Sequence, residues 1–121
     1  MKLKAKKPRE LVYIHYFISD LQEGTVYTFF AMDDYSEVLF EYALTPDLSQ
    51  ESCLSVITKL LSDKEFKRFS NHFKLIVSFG EQYIPLMNQL TKPLNGEVLF
   101  SNTVAKQKLY PVFKELDKKG G

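Results

Sequence analysis

Hydrophobic residues form long apolar blocks in the first part of this 121-residue chain. Segment 11–19 is apolar or aromatic almost throughout, which is typical of a strand covered on both faces. Segments 26–33 and 38–44 follow after short polar links and are rich in β-branched and aromatic residues. Because short links join strands that are neighbours in a sheet, the pattern predicts a three-stranded antiparallel meander.

The spacing of apolar residues then changes from continuous runs to helical intervals. Asp47 followed by Gln50 has the capping-box spacing and predicts the start of a helix. Its apolar face is expected to contain Leu54, Ile57, Leu60 and Leu61. A second capping signal predicts a short helix at 63–71. Segment 73–78 follows as a fourth strand, which we expect to join the sheet in parallel through a right-handed crossover.

The last third of the chain alternates between helix and strand. Segment 81–90 predicts a short helix with Pro85 near its first turn, and 98–100 predicts a fifth, short strand. Asn102 or Thr103 is placed to cap a final helix to about Lys118, which Pro111 must kink or divide. The predicted fold is therefore α/β, with a mixed five-stranded sheet and helices on both of its faces.

Composition supports one domain, expected at 11–119, preceded by a flexible basic arm or linker at 1–10. The chain is 45% hydrophobic, with 10 Phe and 7 Tyr, so it can build a sizeable core. Cys53 is the single cysteine, which excludes an internal disulfide and fits a cytoplasmic location. No apolar run approaches the roughly 20 residues of a membrane span, so no membrane association is expected.

Charge is unevenly distributed, although the formal net charge is only +1. The basic residues of the arm, which could contact DNA phosphates, are Lys2, Lys4, Lys6, Lys7 and Arg9. After residue 10 the remaining 11 basic residues face 14 acidic ones, since the arm holds five of the 16 basic residues and Glu10 is acidic. The body therefore lacks the basic surface of a strong DNA-binding domain. Within it, Lys106 and Lys108 are the candidate contacts to nucleic acid.

Two segments resemble the catalytic cores of retroviral integrases and DDE transposases. Segment 25–44 is similar to the second and third strands of those cores, with Asp33-Asp34-Tyr35-Ser36 at the turn between them. Segment 75–83 is similar to their apolar strand and the motif after it, with Gly80 and Tyr83 at matching places. The likeness extends over 11–116. It implies a ribonuclease H-like fold, a role related to DNA integration, DNA recombination or a mobile element, and a homodimer or an assembly with other domains of a transposase or integrase.

The resemblance also implies where catalytic carboxylates should lie, and this chain lacks them. Active members use two Asp and one Glu to hold two metal ions for phosphoryl transfer. His15 stands at the first position and Ser78 at the second. No acid occurs between 101 and 114, where the third is expected in the last helix. The three losses together predict a pseudoenzyme that holds no metal.

Other candidate sites remain open at this stage. Asp33, Glu81 and Glu97 could replace the lost acids in a divergent metal-dependent nuclease, which would use magnesium or manganese. Asp33 and Asp34 are more simply explained as turn residues, because Asp side chains bond to nearby backbone. A hydrolytic arrangement of Ser78, His15 and Glu81 would require contacts that only a structure can show.

Cys53 and His72 lack the partners of a triad or a zinc site, so structural roles are expected for both. Cys53 is expected on the polar side or edge of the first helix. Three hypotheses follow for the whole chain. It is an inactive integrase-like domain that acts by binding DNA or protein, a divergent nuclease, or a protein-interaction module that shares only the fold.

Overall fold

Five strands form one mixed sheet in the computed structural model, which describes residues 10–63, 72–104 and 106–111, except for the side chain of residue 40. The strands are β1 (Leu11–Leu21), β2 (Gly24–Asp33), β3 (Leu39–Thr45), β4 (Phe73–Val77) and β5 (Gly96–Phe100). Their order across the sheet is β3-β2-β1-β4-β5. The first three are antiparallel, and β4 and β5 run parallel to β1. The predicted α/β fold with a mixed five-stranded sheet is confirmed.

Within the described residues, two α-helices and a C-terminal helical segment accompany the sheet. They are α1 (Gln50–Leu61), α2 (Ile84–Thr91) and helical residues at 104 and 106–111. Short 3₁₀ turns, Glu81–Tyr83 and Lys92–Leu94, flank α2, so the helix predicted at 81–90 begins as a 3₁₀ turn. Within the described residues, no helix is both long and apolar enough to cross a membrane.

The cap of α1 differs from the one predicted. Ser49, not Asp47, is the N-cap of α1, and its hydroxyl accepts the N–H of Ser52. The Asp47 carboxylate instead accepts the hydroxyls of Ser49 and Ser52 and so holds the cap in place. At the C-terminal helical segment, Thr103, one of the two predicted caps, directly precedes the first helical residue and its carbonyl accepts the N–H of Gln107 at 2.9 Å. Ser101 Oγ also accepts the N–H of Val104, at 3.0 Å.

One side of the sheet, here called the first face, packs against α1 and α2. Side chains alternate between the faces of a strand, so Val12 and Ile14 of β1 point to this face. The helical residues buried against it are Cys53, Val56, Ile57, Leu60, Leu61 and Met87. Cys53 is fully buried, and the prediction that it lies on the polar side or edge of α1 is wrong. Leu54 is only partly buried beside this cluster.

The opposite side, the second face, packs against the C-terminal helical segment. Its buried cluster contains Leu11 and Tyr13 of β1, Met32 of β2, Ile76 of β4, and Leu109 of the helical segment. Helical structure therefore covers both faces of the sheet, as predicted. Among the described residues, the second cluster is smaller than the first.

The two halves of β1 differ in their surroundings. β4 pairs with β1 only from Leu11 to Ile14, whereas β2 pairs with it as far as Leu21. The outer half thus forms a hairpin that extends beyond β4, and Phe17 and Ile18 are 41% and 50% exposed. The prediction that 11–19 is covered on both faces is correct only for its first half.

Some predictions concern residues outside the described part of the chain. The short helix at 63–71 falls almost wholly on residues 64–71, and the basic arm falls on residues 1–9. The part of the predicted final helix beyond Pro111 also lies outside the described residues. These remain predictions, as does the domain boundary at 11–119.

Candidate functional site

His15 and Ser78 come together at the centre of the sheet. Ile14 of β1 is the parallel partner of Val77 of β4, so the next residues on the two strands lie side by side. Val12 and Ile14 point to the first face, so His15, which follows Ile14, points to the second face. Ser78 is two residues after Ile76, which lies in the second cluster, so Ser78 also points to the second face. His15 Nδ1 and Ser78 Oγ share a hydrogen bond. The two residues at which the resemblance predicts lost carboxylates therefore contact each other directly.

The C-terminal helical segment brings a third group to this pair. Leu109 and Val104 pack against the second face, and this docking places the charge of Lys106 near the imidazole of His15. Burial, followed by the positive charge of Lys106, lowers the pKa of His15 to about 4. The ring is therefore neutral at pH 7. We call His15, Ser78 and Lys106 the central polar cluster.

The central polar cluster differs in charge from a metal-binding triad. Its members are a neutral imidazole, a hydroxyl and an ammonium group, and none is an anionic oxygen. Magnesium and manganese favour carboxylate oxygens. Among the described residues, no group of three or more His, Cys, Asp or Glu side chains is placed to hold a metal ion.

Asp33 lies away from this cluster, on the other side of the sheet. It pairs with Val12 across the β1–β2 ladder and shares the first face with Phe29 and Ala31. Its carboxylate accepts the hydroxyl of Ser36 at 2.7 Å and the Ser36 N–H at 3.2 Å. These bonds close the turn after β2, which is the role that the turn interpretation assigns to it.

Glu97 and Glu81 are the other acidic candidates. Glu97 points to the second face and pairs with Lys74, which is four residues before Ser78 on β4. Along the strand direction it therefore lies roughly 13 Å from Ser78. Glu81 is exposed and begins the 3₁₀ turn after Gly80. Gly80 has a φ of +63°, and a Cβ there would lie 2.6 Å from Met87 Cε. This bend directs the chain towards α2, on the first face.

A second polar group links the C-terminal helical segment to the β2–β3 turn. Lys108 Nζ lies 3.6 Å from the carboxylate of Asp34 and 5.6 Å from the centre of the Tyr13 ring. Burial, then the charge of Asp34 and a hydrogen bond to it, raise the pKa of Tyr13 to about 12. Lys108 thus acts in a structural contact, whereas Lys106 lies at the central polar cluster. Sequence analysis named both lysines but could not separate these roles, since helix orientation depends on where Leu109 docks.

The other candidates do not join the site. Cys53 is buried on the first face, where its thiol contacts the carbonyl of Leu48, and burial followed by the charge of Asp47 raises its pKa to about 11. His72 is exposed at the start of β4. The basic residues of the arm lie outside the described residues.

Comparison with solved structures indicates the fold. The chain is similar to a chain in the cryo-EM structure of the simian T-cell lymphotropic virus intasome in complex with PP2A regulatory subunit B56 gamma, with a TM-score of 0.63 and 10% sequence identity. The similarity covers 97% of this chain and 42% of the other, so this chain spans less than half of its neighbour. No family model and no curated protein matches the sequence. At this identity the likeness concerns fold alone.

Proposed function

We propose that this chain is an integrase-core-like domain that acts by binding in DNA integration or transposition, without metal-dependent strand transfer. One observation carries the proposal. Where the related cores place carboxylates, this chain holds His15 and Ser78, and its C-terminal helical segment brings Lys106 rather than an acid to the second face. The fold is similar to that of an intasome chain, whereas the charge of the central polar cluster repels cations.

Electrostatics decides against a pair of metal ions at this site. The ammonium of Lys106 would repel a divalent ion held beside His15. In active cores, carboxylates provide the opposite interaction. A neutral imidazole could donate one lone pair to a metal, but it carries no charge to offset this repulsion.

A metal titration tests the proposal directly. We expect millimolar magnesium or manganese to leave the melting temperature of the protein unchanged, because a ligand stabilises a fold only when it binds the folded form. The matched positive control is the triple variant His15→Asp, Ser78→Asp and Lys106→Glu, which restores three carboxylates. It should gain a manganese-dependent rise in melting temperature. A rise of several degrees in the unaltered protein, or cleavage or joining of labelled DNA by it, would contradict the proposal.

The intasome structure suggests how such a domain would work. It is an assembly in complex with a regulatory protein subunit. By analogy, this chain would act as a homodimer or beside other domains of a transposase or integrase. Light scattering at several protein concentrations measures the first possibility, and a concentration-independent monomer mass would exclude it.

A second candidate function is protein binding through the outer hairpin, favoured by its exposed apolar side chains. Leu21 and Leu44 are 53% and 58% exposed. They line one surface depression together with Val26 and Pro46. Exposed apolar surface of this kind is common at protein interaction sites. Binding there would be insensitive to salt, whereas binding to DNA weakens steeply as salt is raised.

A further inference from the structure

We infer that the outer edge of β3 binds the basic arm of a second copy of this chain as an added strand. The inference goes beyond the proposed function, since it requires neither DNA nor the central polar cluster. Three features support it: an edge of the sheet that has no further strand, the alternation of residues in the arm, and the match between the charges and apolar surfaces of the two.

The two edges of the sheet are not equivalent. At the β5 edge, the side-chain amide of Asn88 on α2 takes the place of a neighbouring strand. Its Nδ2 donates to the carbonyl of Val98 at 3.1 Å, and its Oδ1 accepts the Val98 N–H at 2.8 Å. β3 is the other edge strand, seven residues long, and no strand in the described part of the chain lies beyond it. Such an edge can pair with a strand of another chain.

A shallow depression follows the edge of β3. It is lined by Glu41, Tyr42, Ala43, Leu44 and Lys59. The pairing of β2 with β3 shifts by one residue here, so Tyr42 and Ala43 both lie at the first face. Glu41 is exposed and lies opposite Phe30, on the second face. The edge therefore has apolar surface on one side, next to the alkyl chain of Lys59, and a carboxylate on the other.

The arm has the residue pattern of a strand. Residues 2–6 read Lys-Leu-Lys-Ala-Lys, so lysines alternate with apolar residues. In an extended strand the three lysines share one side, and Leu3 and Ala5 share the other. Pro8 separates this segment from β1, and a proline lacks the N–H that a central strand requires. The arm is therefore better suited to pair with a sheet edge than to lengthen β1.

The edge and the arm match in both apolar surface and charge. With Leu3 and Ala5 towards the first face, the arm places them against the apolar side of the depression. Its lysines then lie on the second face, beside Glu41 and away from Lys59. Opposite charges on neighbouring strands attract, and a second carboxylate, Glu23, lines a neighbouring depression at the end of the edge. The opposite orientation would bring lysines next to Lys59, so charge selects one orientation.

The reach of the arm decides which copy supplies it. A strand added beyond β3 lies three strand spacings from β1, which is about 14 Å. From Lys6 to Glu10, where pairing with β4 begins, there are four Cα–Cα steps, which span at most about 14 Å when fully extended. This leaves no length for passing round the β2–β3 turn, which lies at the same end of the sheet. The arm of a second copy has no such limit, and two copies can exchange arms symmetrically.

The first test combines oligomeric state with backbone protection in the full chain. Light scattering at several protein concentrations measures the mass, and amide hydrogen exchange measures the protection of each strand. We expect a dimer that dissociates on dilution, and amides of β3 that exchange faster in the dilute protein. The amide of Val98 on β5 should exchange at the same rate in both samples, because Asn88 already occupies that edge.

Variants test the arm and the edge separately. Ala5→Pro removes a strand N–H from the arm, and Glu41→Lys turns attraction into repulsion, so each should weaken the dimer about tenfold. Glu97→Lys is the matched control, since it makes the same charge reversal on the same face of the other edge strand. It should leave the dimer within about twofold of the unaltered protein. Lys4→Glu combined with Glu41→Lys restores opposite charges and should regain part of the lost affinity.

Two results would overturn the inference. A protein that stays monomeric at every concentration, whether or not its β3 amides are protected, has no second copy on this edge. A dimer that neither Ala5→Pro nor Glu41→Lys weakens has its interface elsewhere. Neither result bears on the proposed function, which falls if manganese stabilises the unaltered protein or if that protein cleaves or joins DNA.

Discussion

The two faces of the sheet differ in what their side chains do. The first face is closed by α1 and α2 over a large apolar cluster, in which the rings of Phe29 and Phe79 meet edge to face at 5.0 Å. In the described part of the chain, the second face has a smaller apolar cluster under the C-terminal helical segment. Beside that cluster lie the polar groups of His15, Ser78 and Lys106. The same strands supply both faces, because successive side chains alternate between them.

This difference indicates a division of roles. Among the described residues, most of the buried apolar side chains lie on the first face, and hydrophobic free energy follows the apolar area removed from water. The second face accommodates buried polar groups, which contribute less to stability and require partners. The following predictions test this division, starting with the largest expected effect.

Removing an aromatic ring from the first face should have the largest effect. Phe29 is fully buried, so Phe29→Ala should lower the free energy of unfolding by about 3–5 kcal/mol, measured by urea denaturation. The matched control is Phe17→Ala, which removes the same ring from the 41% exposed hairpin and should change stability by less than about 1 kcal/mol. Equal effects of the two substitutions would remove the proposed difference between the faces.

A smaller effect is expected from the buried hydroxyl of the second face. Tyr13→Phe removes the hydrogen bond to Asp34 and should lower the free energy of unfolding by about 1–2 kcal/mol. Tyr35→Phe alters a side chain that is 55% exposed and should be nearly neutral. A neutral result for Tyr13→Phe would show that the second face does not depend on this bond.

The pH dependence of stability should identify His15. Its pKa in the folded protein is about 4, below the ordinary value of 6.5, so the unfolded chain binds more protons between these values. Stability from this group is complete above pH 6.5 and is lost as the pH falls towards 4. Discounted for the partial exposure of the ring, the loss is about 1 kcal/mol. Denaturation of His15→Gln at both pH values should show a correspondingly smaller loss, and an unchanged loss would contradict the assignment.

The smallest effect is expected at the partly exposed ion pair. Lys108→Gln should lower stability by less than about 1 kcal/mol, because the ammonium of Lys108 is largely solvated. Thermal melting at low and high salt measures the difference, which salt should reduce further. A loss above about 2 kcal/mol would mean that the second face depends on charge more than its exposure suggests.

Local patterns predicted much of the fold. Continuous apolar segments predicted β1 and β4, and helical spacing with a polar cap predicted α1, because both signals depend only on near neighbours. The errors arose where the prediction had to choose which of several neighbouring residues caps a helix or faces the core. Ser49 replaced Asp47 as the cap, and Cys53 lay inside the helix interface. Sequence analysis also could not show that the outer half of β1 extends past the end of β4.

The sequence by itself determined the order of the described strands and helices along the chain, and through the resemblance it predicted that three catalytic carboxylates are missing. Only the tertiary structure decided that His15 and Ser78 share a hydrogen bond, that Lys106 lies near them, and that Asp33 is on the opposite face. These contacts join residues that are far apart in the chain. They depend on strand register and helix docking, which packing across the whole domain sets and no local pattern encodes.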